Sequence, residues 1–258
     1  MTEATATPAT PANLRAHRSV VLVLAAMLLL ACTSLRLVHA DAEDAPRLSD
    51  AKTAAEAGLL DVTSLVPDIA LDMRYAGEDN FVGQRIDGYH AARCYLVAPA
   101  ARALREIELS LRAQGLRLKL YDCYRPVRAV RHFVEWAGDR ADQRMKAHYY
   151  PNLDKAALLG DYIAPVSGHS RAATVDLGLM RCDARGACSD LDMGTGFDFF
   201  DPRAHTDSPA ITAAQRDHRQ RLRTAMEQGG FANYPLEWWH YTYAMPASGN
   251  LQYDVPVR

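Results

Sequence analysis

The chain has 258 residues, 49% hydrophobic and 23% charged, with a formal net charge of −2. That composition belongs to a folded globular protein and excludes a wholly disordered or collagen-like one. The near-neutral charge argues against polyanion binding by bulk electrostatics, so no nucleic-acid partner is expected.

Residues 1–14 are rich in Ala, Thr and Pro and carry one charge, Glu3. Arg15, His17 and Arg18 follow, and then the apolar run Val20 to Ala31. That run is too short to span a bilayer comfortably. A basic flank before a short apolar core reads as a secretory signal over residues 1–40. Two exits are legible. Val38-His39-Ala40 before Asp41 suits ordinary cleavage, while Leu29-Leu30-Ala31-Cys32 resembles a bacterial lipobox in which Cys32 carries a lipid anchor. An uncleaved anchor is the third reading. All three place the folded part outside the cytoplasm, with the periplasm as the expected compartment. Residues 1–40 hold three arginines and one glutamate, so the remaining 218 residues carry a net charge of −4. That length suits one domain over 41–258, and no later apolar run approaches membrane length.

Residues 41–58 read as a loose lead-in. From Ser64 to Tyr95 the chain reads as short extended pieces and turns. Pro99 to Gln114 reads as a helix, with Leu104, Ile107 and Leu111 recurring every three or four positions and Gly115 ending it. Leu116 to Leu120 alternates with period two and reads as a strand. Pro126 opens a second helix with a Val127, Val130 and Val134 stripe, and Gly138 follows its end. Residues 139–163, broken by Tyr149, Tyr150 and Pro151, read as a loop near the site. Thr174 to Leu179 reads as a strand with Val175, Leu177 and Leu179 on one face. Asp207 or Ser208 is expected to cap a helix from Pro209 to about Gln228, stopped by Gly229-Gly230. Glu237 to Tyr243, aromatic and β-prone, reads as a strand. Helices and short strands interleave without regular βαβ repetition. The fold class is therefore α+β, a single domain with a mostly antiparallel central sheet flanked by helices.

Beyond residue 40 four cysteines remain, Cys94, Cys123, Cys182 and Cys188. An even number in an exported chain suggests disulfides. Cys182 and Cys188 could close a small polar ring, which leaves Cys94 with Cys123. Buried free thiols are the alternative. A zinc–thiolate site is weak because no Cys-x-x-Cys pair exists.

Two segments carry chemistry, Ser167-Gly168-His169-Ser170-Arg171-Ala172-Ala173-Thr174-Val175-Asp176 and Glu237-Trp238-Trp239-His240-Tyr241. Two imidazoles and a carboxylate make a three-ligand zinc set with a fourth position left for water. A further carboxylate that is not a ligand can take the proton from that water. His169, Asp176 and His240 suit the first role and Glu237 the second. Positions three apart face oppositely on a regular strand. Glu237 and His240 can therefore share a site only if the strand bulges or Glu237 sits just before it. A lone histidine is more often structural, and His90, His132, His148, His205 and His218 read that way. Asp176 between Val175 and Leu177 is harder to dismiss, because a buried strand carboxylate is costly unless paired or bound to metal. In Tyr121-Asp122-Cys123-Tyr124-Arg125-Pro126, Arg125 could stabilise an oxyanion or simply pair with a structural aspartate. A Gly-x-Ser-x-Gly elbow, a His-Glu-x-x-His helix and a Gly-rich phosphate loop are all missing.

These segments, with Tyr75 to Tyr89 and Met193-Gly194-Thr195-Gly196-Phe197-Asp198, resemble the D-alanyl-D-alanine dipeptidases, the VanX-type zinc peptidases. That family is kin to the zinc D,D-carboxypeptidases and the hedgehog signalling domain. The match runs from about Asp61 to Tyr243, with five segments in the family's order. The resemblance implies a hedgehog/D,D-peptidase-like fold and one zinc ion per chain on His169, Asp176 and His240. It implies Glu237 as general base and Arg125 as the group that polarises the scissile carbonyl. It implies Asp198 as the receptor for the substrate's ammonium group, Ser167 and Tyr89 as contacts to its carboxylate end, and Tyr75 as a pocket wall. The implied substrate is a small D,D-dipeptide, cleaved in peptidoglycan turnover or dipeptide salvage. A D,D-carboxypeptidase acting on a longer stem peptide and a zinc-bearing binding module without catalysis are the other readings. One departure stands out. Where the family commonly has Gly after Ser170-Arg171, this chain has Ala172, which costs about 1 kcal/mol if the backbone there has positive φ.

Overall fold

The computed structural model describes residues 46–245 and 250–258. The expected signal over 1–40, with Cys32, lies outside the described residues. Residues Arg47–Arg258 form one unit. Among the described residues no helix is long and apolar enough to cross a membrane.

The strands are β1 (Arg47–Leu48), β2 (Leu59–Asp61), β3 (Ala70–Leu71), β4 (Tyr95–Val97), β5 (Leu116–Asp122), β6 (Thr174–Cys182), β7 (Cys188–Asp190), β8 (Phe231–Asn233), β9 (His240–Tyr243) and β10 (Leu251–Gln252). The helices are α1 (Ala98–Arg112), α2 (Val127–Gly138), the single turn α3 (Lys146–Tyr149) and α4 (Ala213–Gln228). The central sheet runs β3-β5-β6-β9-β8, with β7 attached to β6. Only β3 and β5 pair in parallel in that sheet. The expected mostly antiparallel α+β architecture is what forms, with this one parallel pair added.

In β5 the alternating Leu116, Leu118 and Leu120 are buried, as their period demands. Strand β6 is buried on both faces from Thr174 to Met180 rather than on one. Gly178 allows this, because a Cβ there would stand 2.7 Å from the Tyr121 hydroxyl. Helix α1 buries Leu104, Ile107 and Leu111 as expected. The buried face of α2 is Ala129, Val130, Phe133, Trp136 and Ala137, while Val127 and Val134 lie at its margin. The large aromatic residues, not the valines, set that helix's rotation.

Two element starts are displaced by most of a turn or more from expectation. Helix α4 starts at Ala213, not Pro209, because Thr212 and Gln215 form a reciprocal capping box that satisfies two of the end's free N–H groups. Strand β9 starts at His240, not Glu237, and Glu237 lies in the turn that precedes it. Both suspected disulfides are present, Cys94–Cys123 and Cys182–Cys188. The first closes a separation of 29 residues, which contributes about 3–4 kcal/mol on a chain-entropy basis.

Candidate metal centre

Three adjacent strands bring their polar residues to one rung of the sheet. Asp176 on β6 faces His240 on β9 on one side and Asp122 on β5 on the other. Leu120 pairs with Leu177 and Asp122 with Asp176, so β5 bulges between Leu120 and Asp122. Neighbouring strand residues point to opposite faces, and the extra residue turns Asp122 to the Asp176 side.

His169 reaches this rung from a 3-10 turn, Gly168–Arg171, which precedes β6. The Ser167 side chain caps that turn by accepting from His169 N at 3.3 Å. Gly168 is required by close approach, since a Cβ would stand 2.9 Å from Thr174 Oγ1. Ala172 ends the turn at φ 55°, in the left-handed region where a glycine would be at ease. His169 Nδ1 lies 2.7 Å from the Cys123 carbonyl oxygen. A carbonyl only accepts, so Nδ1 carries the proton and Nε2 presents its lone pair to the rung.

The donor atoms converge. His169 Nε2 lies 3.2 Å from Asp176 Oδ2 and 3.3 Å from His240 Nδ1, and His240 Nδ1 lies 3.0 Å from Asp176 Oδ1. A tetrahedral zinc with ligands at about 2.0–2.1 Å separates its donors by about 3.4 Å. The set fits the ion in donor type and in spacing. Buried Asp176 Oδ1 makes no well-aligned hydrogen bond despite its 3.0 Å approach to His240 Nδ1, an arrangement that suits two donors facing a shared cation. Among the described residues this is the one group of three or more His, Cys, Asp or Glu with metal-ligating spacing. Burial pushes the Asp176 carboxyl up, but the two imidazoles bring it below the ordinary carboxylate range. Burial pushes His240 below its ordinary value, against the pull of Asp176. An ionised aspartate beside a neutral imidazole is the ligating state of both.

Arg125 joins the centre through Asp122. Its Nε and Nη2 both lie 2.9 Å from Asp122 Oδ2, and Nη2 stands 3.5 Å from Asp176 Oδ2. Tyr75 and Phe133 present ring faces to the guanidinium at 5.1 and 5.0 Å. The cationic form is held far above its usual range, the carboxylates and tyrosines around it outweighing burial. The structural and the catalytic readings of Arg125 are therefore compatible: it pairs with an aspartate and also lines the cavity.

That cavity has a volume of about 250 Å³ and is lined by Tyr75, Arg125, Ser167, His169, Asp176, Asp198, Glu237 and His240. It lies just under the roughly 300–1,000 Å³ of drug-sized sites. A larger cavity of about 740 Å³ lies between α1 and α4, against Ile107, Leu111 and Ala225, and holds none of these residues. Donor chemistry, not size, selects the site. Glu237 is buried with Oε2 3.5 Å from His240 Nδ1. Burial first, and then the charges of Asp176 and Asp198, push its carboxyl well above the ordinary range. Asp198, also buried, accepts from the Tyr75 hydroxyl at 2.8 Å and has φ 57°. Burial and the Asp176 charge push it well up too.

Tyr89 is the exception among the sequence candidates. It does not line the cavity, and its hydroxyl donates to Asp122 Oδ1 at 2.6 Å. In this structure the Tyr89 hydroxyl is engaged in orienting Asp122. The residue that sequence reasoning undervalued is Asp122. It ties together Tyr89, Arg125 and, at 3.5 Å from Nδ1, His169. Its signal was three residues from Arg125, but only the bulge shows which way it points.

The family model described as D-ala-D-ala dipeptidase matches residues 55–255. A D-alanyl-D-alanine dipeptidase of Enterococcus faecium is 37% identical over 79% of this chain and 100% of its own length. One from Enterococcus faecalis (strain ATCC 700802 / V583) is 40% identical over 72% of this chain and 91% of its own. A vancomycin resistance D,D-pentapeptidase solved with Zn(II) aligns at 18% identity, covering 58% of this chain and 73% of its own, with a TM-score of 0.36.

Proposed function

This chain belongs to the D-ala-D-ala dipeptidase family of peptidases, and on that premise we propose that it hydrolyses D-Ala-D-Ala to two D-alanines with one zinc ion on His169, Asp176 and His240. The observation that carries the reading is the single small cavity in which three converging donors, a free glutamate, an arginine and a buried aspartate meet.

When bound, zinc supplies a Lewis acid and lowers the pKa of water to about 7. The chain's own residues do the rest. Glu237, whose carboxyl has no ligand role, takes the proton from the attacking water and returns it to the leaving amine. Burial and the charges of Asp176 and Asp198 raise its carboxyl above the ordinary range, which favours the uptake of a proton. Arg125, held cationic and fixed by Asp122, donates to the oxygen of the tetrahedral intermediate. Asp198 receives the substrate ammonium. Burying that carboxylate alone is costly, and a cation beside it offsets the cost. The Tyr75 hydroxyl donates to Asp198, and Ser167 stands at the cavity wall. A peptide with a blocked amine has no charge for Asp198 and must displace buried groups to continue.

We place the enzyme outside the cytoplasm, exported by residues 1–40 and either released or anchored through Cys32. Two disulfides support an oxidising compartment. There the activity serves peptidoglycan turnover or dipeptide salvage.

The test is hydrolysis of D-Ala-D-Ala, its N-acetylated form and a pentapeptide stem by the zinc-loaded protein. Strong preference for the free dipeptide supports the proposal. Preference for the pentapeptide makes the chain a D,D-carboxypeptidase. Zinc binding without turnover of any of the three makes it a binding module.

A further inference from the structure

Asp198 sits on an irregular stretch of backbone. From Met193 to His205 the chain forms no strand and no α-helix, only the 3-10 turn Pro202–Ala204. Asp198 itself is in the left-handed region. Such a segment holds a side chain in one place only if something outside it fixes both of its ends.

Arg219 on α4 does so. Its side chain is fully buried, and its partners are backbone carbonyls rather than a carboxylate. Nε donates to Met193 O at 2.7 Å, Nη2 to Arg203 O at 2.9 Å and Nη1 to His205 O at 2.6 Å. One guanidinium therefore grips the segment at its first residue, Met193, and near its end, at Arg203 and His205. A planar fork with fixed donor directions is suited to this, and an ammonium is not.

The same guanidinium lies 6.0 Å from the Trp238 ring. Trp238 directly follows Glu237. Its Nε1 donates to Thr195 Oγ1 at 2.8 Å, and its backbone N donates to Ala204 O at 3.1 Å. Thr206 N also donates to Pro235 O at 2.9 Å. The loop that carries Asp198 and the turn that carries Glu237 are thus cross-braced to each other.

We propose that Arg219, acting through Trp238 and Thr195, is a positioning device that sets the distance between the amine-binding Asp198 and the base Glu237, and so sets how much substrate is tolerated on the amino side of the scissile bond. This rests on the reading of Asp198 as the ammonium receptor. None of the brace residues lines the catalytic cavity. Their effect is expected on substrate grip and selectivity, not on the chemical step.

The experiment compares zinc-loaded wild type, Thr195→Val, Trp238→Phe and Arg219→Lys, with Asp198→Asn alongside. It measures kcat and KM for D-Ala-D-Ala and the preference for it over N-acetyl-D-Ala-D-Ala. Thr195→Val removes one hydrogen bond at a half-buried position and leaves the shape of the side chain intact, so the fold survives. The expected result is a rise in KM of about fivefold for Thr195→Val and Trp238→Phe, on the scale of one hydrogen bond. The preference for the free amine should fall by a similar factor, with kcat within twofold and zinc content unchanged. Arg219→Lys should show the larger form of the same pattern. An unchanged KM and preference in folded Thr195→Val and Trp238→Phe, while Asp198→Asn loses the preference, overturns the brace and spares the amine receptor. An Asp198→Asn variant that keeps the preference overturns both. A fall in kcat at constant KM also counts against the brace.

Discussion

Asp176 and His240 are direct cross-strand partners, and their donor atoms stand 3.0 Å apart before any ion is considered. The sheet register itself therefore supplies two of three ligands, and rigid elements hold a site more closely than loops do. Asp176→Asn keeps this register and removes the charge. The wild-type protein should gain thermal stability on adding zinc, about 2.7 kcal/mol at a hundredfold excess over Kd, or roughly 5–10 °C for a domain of this size. Thermal melts of Asp176→Asn should show little or no such gain. An equal gain in the variant would remove Asp176 from the ligand set.

Glu237 is assigned a proton and no coordination. Glu237→Ala should retain zinc while kcat falls by about 10² to 10⁴, checked by metal analysis of the same sample used for kinetics. The metal-free protein offers an independent check. Burial raises the Glu237 carboxyl in the folded state, so folding favours its protonated form. That stability is fully present at acidic pH and is lost as pH rises above the unfolded value of about 4.3. Glu237→Gln does not titrate. Stripped of metal, it should melt level with wild type near pH 4 and above it near pH 7. A gap that runs the other way contradicts the raised carboxyl.

Arg125 pairs with fully buried Asp122 and also faces the cavity. Lysine keeps the charge but cannot give two donors to one carboxylate and still reach the substrate. Arg125→Lys should lower kcat by about 10² to 10³. It should also destabilise the fold, by less than the roughly 3–5 kcal/mol that outright removal of a buried partner costs, because the lysine charge still faces Asp122. Kinetics and urea melts together check this. Loss of stability with normal kcat would leave Arg125 a purely structural residue.

Ala172 occupies φ 55° directly after the turn that carries His169. Left-handed backbone costs a non-glycine residue about 1–2 kcal/mol, and glycine's extra unfolded freedom returns about 0.5–1 kcal/mol of that. Ala172→Gly should be neutral or stabilising by up to about 1 kcal/mol, with turnover unchanged. Ala172→Val should lose at least about 2 kcal/mol. Differential melting of the two variants decides it, and a destabilised glycine variant would show that packing of the alanine methyl outweighs the strain.

What the sequence made legible follows from which features are local. The alternation in Leu116–Leu120, the spacing of Leu104, Ile107 and Leu111, and the polar islands around His169, Asp176 and His240 are all readable without a partner strand. The pairing of Cys94 with Cys123 followed once Cys182 and Cys188 were joined. The start of α4 is not legible in the sequence, because capping residues compete within a few positions and the Thr212–Gln215 box is decided by backbone geometry. The rotation of α2 does not follow from its valines, because Phe133 and Trp136 have more surface to bury. The role of Tyr89 and the importance of Asp122 were out of reach, since both depend on one extra residue in β5 that re-aims a carboxylate. The Arg219 brace joins residues far apart in the chain and carries no motif.

The central claim is that His169, Asp176 and His240 hold one divalent ion. The most direct measurement is a crystal of the zinc-loaded protein, with anomalous scattering recorded at the zinc edge. One strong peak is expected about 2.0–2.2 Å from His169 Nε2, an Asp176 carboxylate oxygen and His240 Nδ1, with Glu237 outside the ligand set. A protein that hydrolyses D-Ala-D-Ala while its anomalous peak lies elsewhere, or while no peak is found, would contradict it.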